Sequence, residues 1–60
     1  MKVGNIITLN GRNANGKLFK VIEVVRRRKA GITEIVFHPI GNPNKWHASW
    51  KRYYDVVKEK

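Results

Sequence analysis

The sequence predicts an all-β fold, a single small barrel of five strands covering residues 1–60, on three observations. Short segments are rich in β-branched and other apolar side chains, such as Ile32 to His38. Clusters of Asn, Gly and Pro separate these runs at spacings of about 8 to 12 residues, which is typical of sandwiches and barrels. The chain has 60 residues and no cysteine, so one small core without disulfides must hold it. A strongly bent barrel disposes of exposed sheet edges at this size.

The first strand is predicted from Lys2 to Leu9, where Val3, Ile7 and Leu9 share one parity and β-branched residues are frequent. Residues 10–16 contain two Asn-Gly pairs. Because Asn and Gly tolerate positive φ, this segment is predicted to be a loop.

Residues 17–26 carry two conflicting patterns. Leu18, Val21, Ile22 and Val25 lie at the spacing of a helical stripe. The β-branched residues in this run favour a strand, and no Ser, Thr or Asp stands at a helix N-cap position. We therefore predict a long strand with apolar residues on both faces, bending across the barrel.

A basic turn follows, in which Arg26, Arg27, Arg28 and Lys29 precede Ala30-Gly31. It is predicted to be the tip of a hairpin whose second strand covers residues 32–38 and is ended by Pro39. A solvated loop that only aids solubility is the alternative for this tip. Residues 40–44 form the next predicted loop.

Residues 45–51 alternate, with Trp46, Ala48 and Trp50 on one face, and predict a half-buried strand. At least one of the two tryptophans is expected in the core, because a small barrel needs large side chains. The last strand is predicted at residues 53–57, with Tyr53 and Tyr54 on opposite faces, one in the core and one exposed.

Three stretches resemble the small SH3-like barrel family, especially its KOW-type and Tudor-like members. The opening Val3-Gly4-Asn5-Ile6-Ile7-Thr8-Leu9 and the run Phe19 to Val24 are similar to its first two strands, with Asn5 where Asp is usual. Residues 46–57 are similar to its fourth strand, 3₁₀ turn and fifth strand. The resemblance thus implies an SH3-like barrel with at most one short 3₁₀ turn, near the C-terminus.

The family binds nucleic acid, peptides or modified histones, and charge decides among these here. Members that bind proline-rich peptides have an acidic first loop, whereas this loop carries Arg12 and Lys17 and no acid. The rings of Trp46, Trp50 and the two tyrosines would suffice for a Tudor-like cage. A domain of net charge +9, however, repels a basic histone tail.

The charge balance, 13 Lys and Arg against 4 Asp and Glu, predicts a polyanionic partner. We expect phosphate contacts, to double-stranded DNA ahead of RNA, and a two-stranded β-ribbon is an element that can enter a major groove. Little sequence specificity is expected, because no sequence-reading helix is predicted. The expected nucleic-acid-binding residues are Arg12, Lys17, Lys20, Arg26, Arg27, Arg28, Lys29, Lys45, His47, Lys51 and Arg52. The expected stacking residues are Trp46, Trp50 and Tyr53.

Other classes find no support in the sequence. No paired carboxylates or nucleotide-binding motif indicate an enzyme or a cofactor, and His38 and His47 cannot form a structural zinc site unaided. The longest apolar run, Ile35-Val36-Phe37, is too short for a membrane, and no secretory segment is recognised. A cytoplasmic location is therefore expected, with the nucleoid if the protein binds DNA. The alternative function is docking on an acidic surface of a polymerase, ribosome or other large machine. Pairing of two copies stays open.

Overall fold

In the computed structural model, residues 1–27 and 31–59 are described, and they form one sheet of five antiparallel strands. The strands are β1 (Ile6–Leu9), β2 (Phe19–Arg27), β3 (Ile32–Pro39), β4 (His47–Trp50) and β5 (Tyr54–Lys58). Their spatial order is β4-β3-β2-β1-β5. The predicted all-β class and the five strands are confirmed, and closure of the sheet into a barrel stays a prediction.

A 3₁₀ turn at Lys51–Tyr53 joins β4 to β5, in the place that was predicted near the C-terminus. A second 3₁₀ turn, at Gly11–Asn13, lies in the loop between β1 and β2 and is not predicted by the sequence. Its first residue, Gly11, has a left-handed φ of 67°, which residues with a Cβ rarely take.

Strand β1 begins at Ile6 rather than at Lys2, so the predicted first strand is four residues too long. Residues 2–5 form a turn in which the Asn5 amide donates to the Lys2 carbonyl at 3.1 Å, and Gly4 has a φ of 95°. The buried Asn5 side chain accepts a hydrogen bond from the Lys2 amide at 2.7 Å through Oδ1. This turn replaces the extended backbone that the β-branched pattern indicated.

The predicted hairpin is confirmed as the antiparallel pair β2–β3, and no helix forms over the ambiguous segment that includes β2. The register shifts between Val21 and Glu23, which leaves Ile22 as an unpaired bulge residue. A bulge bends the strand and increases its twist, as expected of a strand that carries apolar residues on both faces. Arg28, Lys29 and Ala30, predicted at the hairpin tip, lie outside the described residues.

The core consists of four buried side chains from three strands: Ile7, Val21, Ile35 and Phe37. Four partly buried residues pack against it: Met1, Phe19, Val24 and Tyr54. Three rings in this group make close contacts, with centroids 5.1 Å apart for Phe19 and Phe37 and 4.8 Å apart for Phe37 and Tyr54. The expected division of the tyrosines is confirmed, since Tyr54 packs on the core and Tyr53 is 44% exposed.

The prediction that a tryptophan belongs to the core is wrong. Trp46 is 64% exposed, and Trp50 is half-buried but outside the buried cluster. The cause is the β3–β4 register, in which Phe37 lies opposite His47. Opposite residues in an antiparallel pair share a face, so His47 is on the core face and Trp50 on the other.

Candidate nucleic-acid interface

The end of the β2–β3 hairpin is a two-stranded ribbon that carries two of the predicted cations. Arg26 lies opposite Thr33 and Arg27 opposite Ile32. Among the described residues no third strand flanks these pairs, because β4 pairs with β3 only from Glu34 to Phe37 and β1 pairs with β2 only at Phe19 and Lys20. Both arginines are exposed.

Arg27 is not a free cation, because its Nε donates to Glu34 Oε1 in an ion pair. The guanidinium side chain remains 59% exposed, while that of Glu34 is 30% exposed. Arg26 forms no ion pair with a described carboxylate. The two neighbours therefore differ in the charge that they offer to an approaching anion.

The 3₁₀ turn Lys51–Tyr53 presents cations beside aromatic rings. The rings of Trp50 and Tyr53 are nearly parallel, at 5° with centroids 6.0 Å apart. The guanidinium carbon of Arg52 lies 4.5 Å from the Trp50 centroid and 5.1 Å from the Tyr53 centroid, both within cation–π range. Arg52 Nη2 also donates to Tyr53 Oη at 3.2 Å. The long Arg52 side chain is thus held in one place.

Asn10 fixes this turn from the far end of β1. Its backbone N–H donates to the Tyr53 carbonyl at 2.9 Å, and its side-chain Nδ2 donates to the Arg52 carbonyl at 3.0 Å. The same Nδ2 lies 3.2 Å from Asp55 Oδ1. Asn10 therefore ties the end of the first strand to Tyr53 and to the residues on both sides of it in the chain.

Glu34 links the ribbon to the turn, since it is ion-paired with Arg27 and lies opposite Trp50 in the β3–β4 register. A concavity of about 430 Å³ lies between them, and Thr33, Lys51 and Arg52 are among the residues that line it. We call the set at this end the hairpin-end cluster. Its members are Arg26, Arg27, Trp50, Lys51, Arg52 and Tyr53.

The remaining predicted contacts lie elsewhere. Lys17 and His47 line a shallow groove at the opposite end of the sheet, next to Leu18 and Ile40. Lys45 and the exposed Trp46 directly precede β4 at that end. Arg12 is on the 3₁₀ turn Gly11–Asn13, and Lys20 lies opposite Ile6 on β1. The structure thus places some of the predicted residues in the hairpin-end cluster and the others apart from it.

Two residues of the site were missed in the sequence. Glu34 follows Arg27 by seven positions. A hairpin centred on the basic turn brings two residues at this spacing close together on the paired strands, and this signal could have identified Glu34. Nothing local to Asn10 indicates that it reaches residues 52–55, more than forty positions away. Within the described residues no three His, Cys, Asp or Glu side chains are grouped as metal ligands would be.

Comparisons with known proteins give no match. No family model, no curated protein and no solved structure matches this chain. In the described part of the chain no helix is long and apolar enough to cross a membrane.

Proposed function

We propose that this chain is a non-catalytic nucleic-acid-binding domain that contacts the phosphate backbone, of duplex DNA ahead of RNA, with little sequence specificity. The observation that carries the proposal is the hairpin-end cluster, where the ribbon that carries Arg26 and Arg27 adjoins the turn that carries Lys51, Arg52 and the stacked rings. In this proposal the fold is an SH3-like barrel, supported by the 3₁₀ turn between the fourth and fifth strands. Action on DNA would place the protein in the cytoplasm, with the nucleoid.

The free positive charge of the surface supports this proposal. Ten of the thirteen Lys and Arg residues are described, and all ten are exposed. The described residues contain a single ion pair, Arg27–Glu34, although all four carboxylates are among them. Cations without carboxylate partners can neutralise phosphates and release the counterions condensed on DNA, which favours binding of any sequence.

The shape of the cluster favours a duplex. The ribbon that ends at Arg27 and Ile32 is two strands wide, and a two-stranded ribbon can enter a major groove. Arg52 is already positioned against Trp50 and Tyr53, so less side-chain entropy is lost when it meets a phosphate. The rings themselves are engaged with each other and with Arg52, which favours phosphate contact over base stacking at this end.

The test is a binding titration of the whole chain against labelled duplex DNA, single-stranded DNA and RNA of equal length at several salt concentrations. With four to six phosphate contacts, log K should fall against log salt with a slope of roughly −4 to −5 on duplex DNA. Scrambling the DNA sequence should change the affinity little. Absence of binding to every nucleic acid at low salt would contradict the proposal.

Matched variants locate the surface. Arg26→Ala and Lys51→Ala should each weaken duplex binding and reduce the magnitude of the salt slope by about one. Lys58→Ala removes the same charge from an exposed residue outside the cluster and serves as the control. Equal losses in all three variants would show that net charge, and not the hairpin-end cluster, determines binding.

A further inference from the structure

An apolar groove lies over the start of β2 and the end of β5, away from the hairpin-end cluster. It has a volume of about 520 Å³, and its apolar lining comes from Val3, Ile6, Ile22 and the buried core residue Val21. Val3 and Ile22 are 60% and 43% exposed. These side chains contribute little to the core, so their apolar character calls for another explanation.

Two lysines stand on either side of this apolar surface. Ile6 lies opposite Lys20 on β2 and opposite Lys58 on β5, and opposite residues share a face. Strands are about 4.8 Å apart, so the two lysine Cα atoms flank Ile6 at a separation of roughly 10 Å. Neither lysine forms an ion pair with a described carboxylate. The groove is therefore apolar at its floor and positively charged at its rim.

Two bulges lie in β2 and β5, the strands on either side of β1. The register shift in β2 leaves Ile22 unpaired, and the shift between β1 and β5 leaves Val57 unpaired. Both residues are exposed. Bulges redirect side chains and are recurrent next to functional sites, and the bulge in β2 places Ile22 in the lining of the groove.

We propose that this groove binds an acidic amphipathic segment of a protein partner. Apolar side chains of that segment would cover Val3, Ile6 and Ile22, and its carboxylates would meet Lys20 and Lys58. Charge complementarity identifies this occupant, since a chain of net charge +9 favours an acidic ligand. The same charge disfavours a second copy, which would bring like-charged lysines together.

The other polyanions fit the groove less well. None of the described residues that line it carries an aromatic ring on which a base could stack. It is concave, whereas a membrane surface is contacted by a protruding face. Lys20, which the sequence assigned to nucleic acid, belongs to this second surface in the structure.

The groove is far enough from the hairpin-end cluster to act independently. Lys20 and Arg27 are seven residues apart on β2, or about 23 Å at the rise of a strand. The domain could then hold nucleic acid at one end and an acidic protein on another face. The inference does not depend on nucleic-acid binding and can be tested without it.

The probes are two synthetic peptides of about twelve residues that combine Leu with Asp, one in strict alternation and one at helical spacing, so that both conformations are covered. Binding to the whole ¹⁵N-labelled chain is followed by amide chemical shifts. We expect at least one peptide to shift Val3, Ile6 and Ile22. Peptides with every Leu replaced by Ser should bind at least tenfold more weakly.

Variants separate the groove from general attraction of acids. Ile22→Ser and Val3→Ser should each weaken the better peptide about tenfold, whereas Leu18→Ser, at an equally exposed residue outside the groove, should not. Lys58→Gln should weaken the Leu–Asp peptide but not a Leu–Ser peptide. Unchanged amide spectra away from each substitution verify that the variants fold. Ile22→Ser should leave duplex DNA binding unchanged.

Several results would overturn this inference. The first is that neither peptide binds at about 1 mM. The second is that the chemical shift changes are confined to the hairpin-end cluster, and the third is that the peptides without Leu bind equally well. Loss of DNA binding in Ile22→Ser would show that the groove belongs to the nucleic-acid surface. Concentration-dependent dimers that disappear in Ile22→Ser would show that a second copy is the occupant.

Discussion

Tyr54 connects the core to the surface at the start of β5. Its ring lies edge-on to Phe19 at 6.1 Å and is 4.8 Å from Phe37. Burial raises the pKa of Tyr54 above its ordinary value of 10.0, and a side-chain hydrogen bond with Ser49 opposes this rise. The neutral phenol is the form that the folded state prefers.

We predict a loss of stability at high pH that depends on Tyr54. The folded-state pKa is above that of the unfolded chain, so this contribution is fully present below about pH 10 and disappears as pH rises through the folded-state pKa. Urea unfolding across this range should show a smaller decline for Tyr54→Phe than for the parent chain. Comparison with this variant cancels the effect of lysine titration. An identical decline in both proteins would contradict the assignment.

The contrast between Phe37 and Trp46 gives a second prediction. Phe37 is 2% exposed at the centre of the core, so Phe37→Ala should cost about 3–5 kcal/mol. That loss is large for a domain of this size and should leave much of the chain unfolded at 25 °C. Trp46→Ala should change the free energy of unfolding by less than about 0.5 kcal/mol, because the ring is mostly exposed. Thermal and urea unfolding measure both, and a large cost at Trp46 would mean that its ring is packed.

At the scale of elements, the hairpin and the 3₁₀ turn meet at Glu34. This carboxylate occupies Arg27 and adds a negative charge beside Trp50 and Arg52. It therefore opposes the proposed function of the cluster. An ion pair this exposed is worth little to folding.

Glu34→Gln should strengthen duplex binding. The substitution keeps the side-chain shape and frees Arg27 for a phosphate, so the magnitude of the salt slope should increase by about one. Glu59→Gln makes the same change in net charge at an exposed residue beyond β5 and is the control. Salt-titrated anisotropy with duplex DNA compares the two. Weaker binding by Glu34→Gln would show that the ion pair holds Arg27 in the binding position.

The elements were predictable from the sequence because each strand has a local signature. β-branched residues mark β2 and β3, and Asn-Gly pairs mark the loop before β2. The orientation of β4 was not predictable in this way, since alternation separates two faces without showing which one meets the core. The pairing of Phe37 with His47 decides that question, and such a register depends on contacts between strands.

The same reasoning explains what was predictable of the site. Composition identified the cations, and the basic turn identified the hairpin that carries Arg26 and Arg27. The meeting of that hairpin with Arg52 and the stack on Tyr53 required the tertiary structure, as did the hydrogen bonds of Asn10. Long-range placement of this kind leaves no periodic pattern in the chain.

At the scale of the whole molecule, the dominant quantity is a net charge of +9 within dimensions of 34 × 26 × 20 Å. The Debye length is about 30 Å at 0.01 M salt and about 3 Å at 1 M. At low salt, charges therefore repel one another across the whole domain, whereas at high salt they act only on near neighbours. Self-repulsion of this kind destabilises the compact state.

Salt should therefore stabilise the fold while it weakens the proposed binding to DNA. Between about 0.01 M and 0.5 M NaCl the melting temperature should rise by several degrees, since about 1 kcal/mol corresponds to roughly 4–8 °C in a domain of this size. Arg26→Gln and Lys51→Gln each remove one positive charge from an exposed side chain and leave the packing of the core unchanged. Each should raise the melting temperature at low salt and have little effect at high salt. Calorimetry and DNA titration on the same samples compare the two responses. A melting temperature that falls with added salt would mean that attraction between opposite charges, as in the Arg27–Glu34 pair, outweighs repulsion among the cations. The excess positive charge would then require no polyanion to offset it.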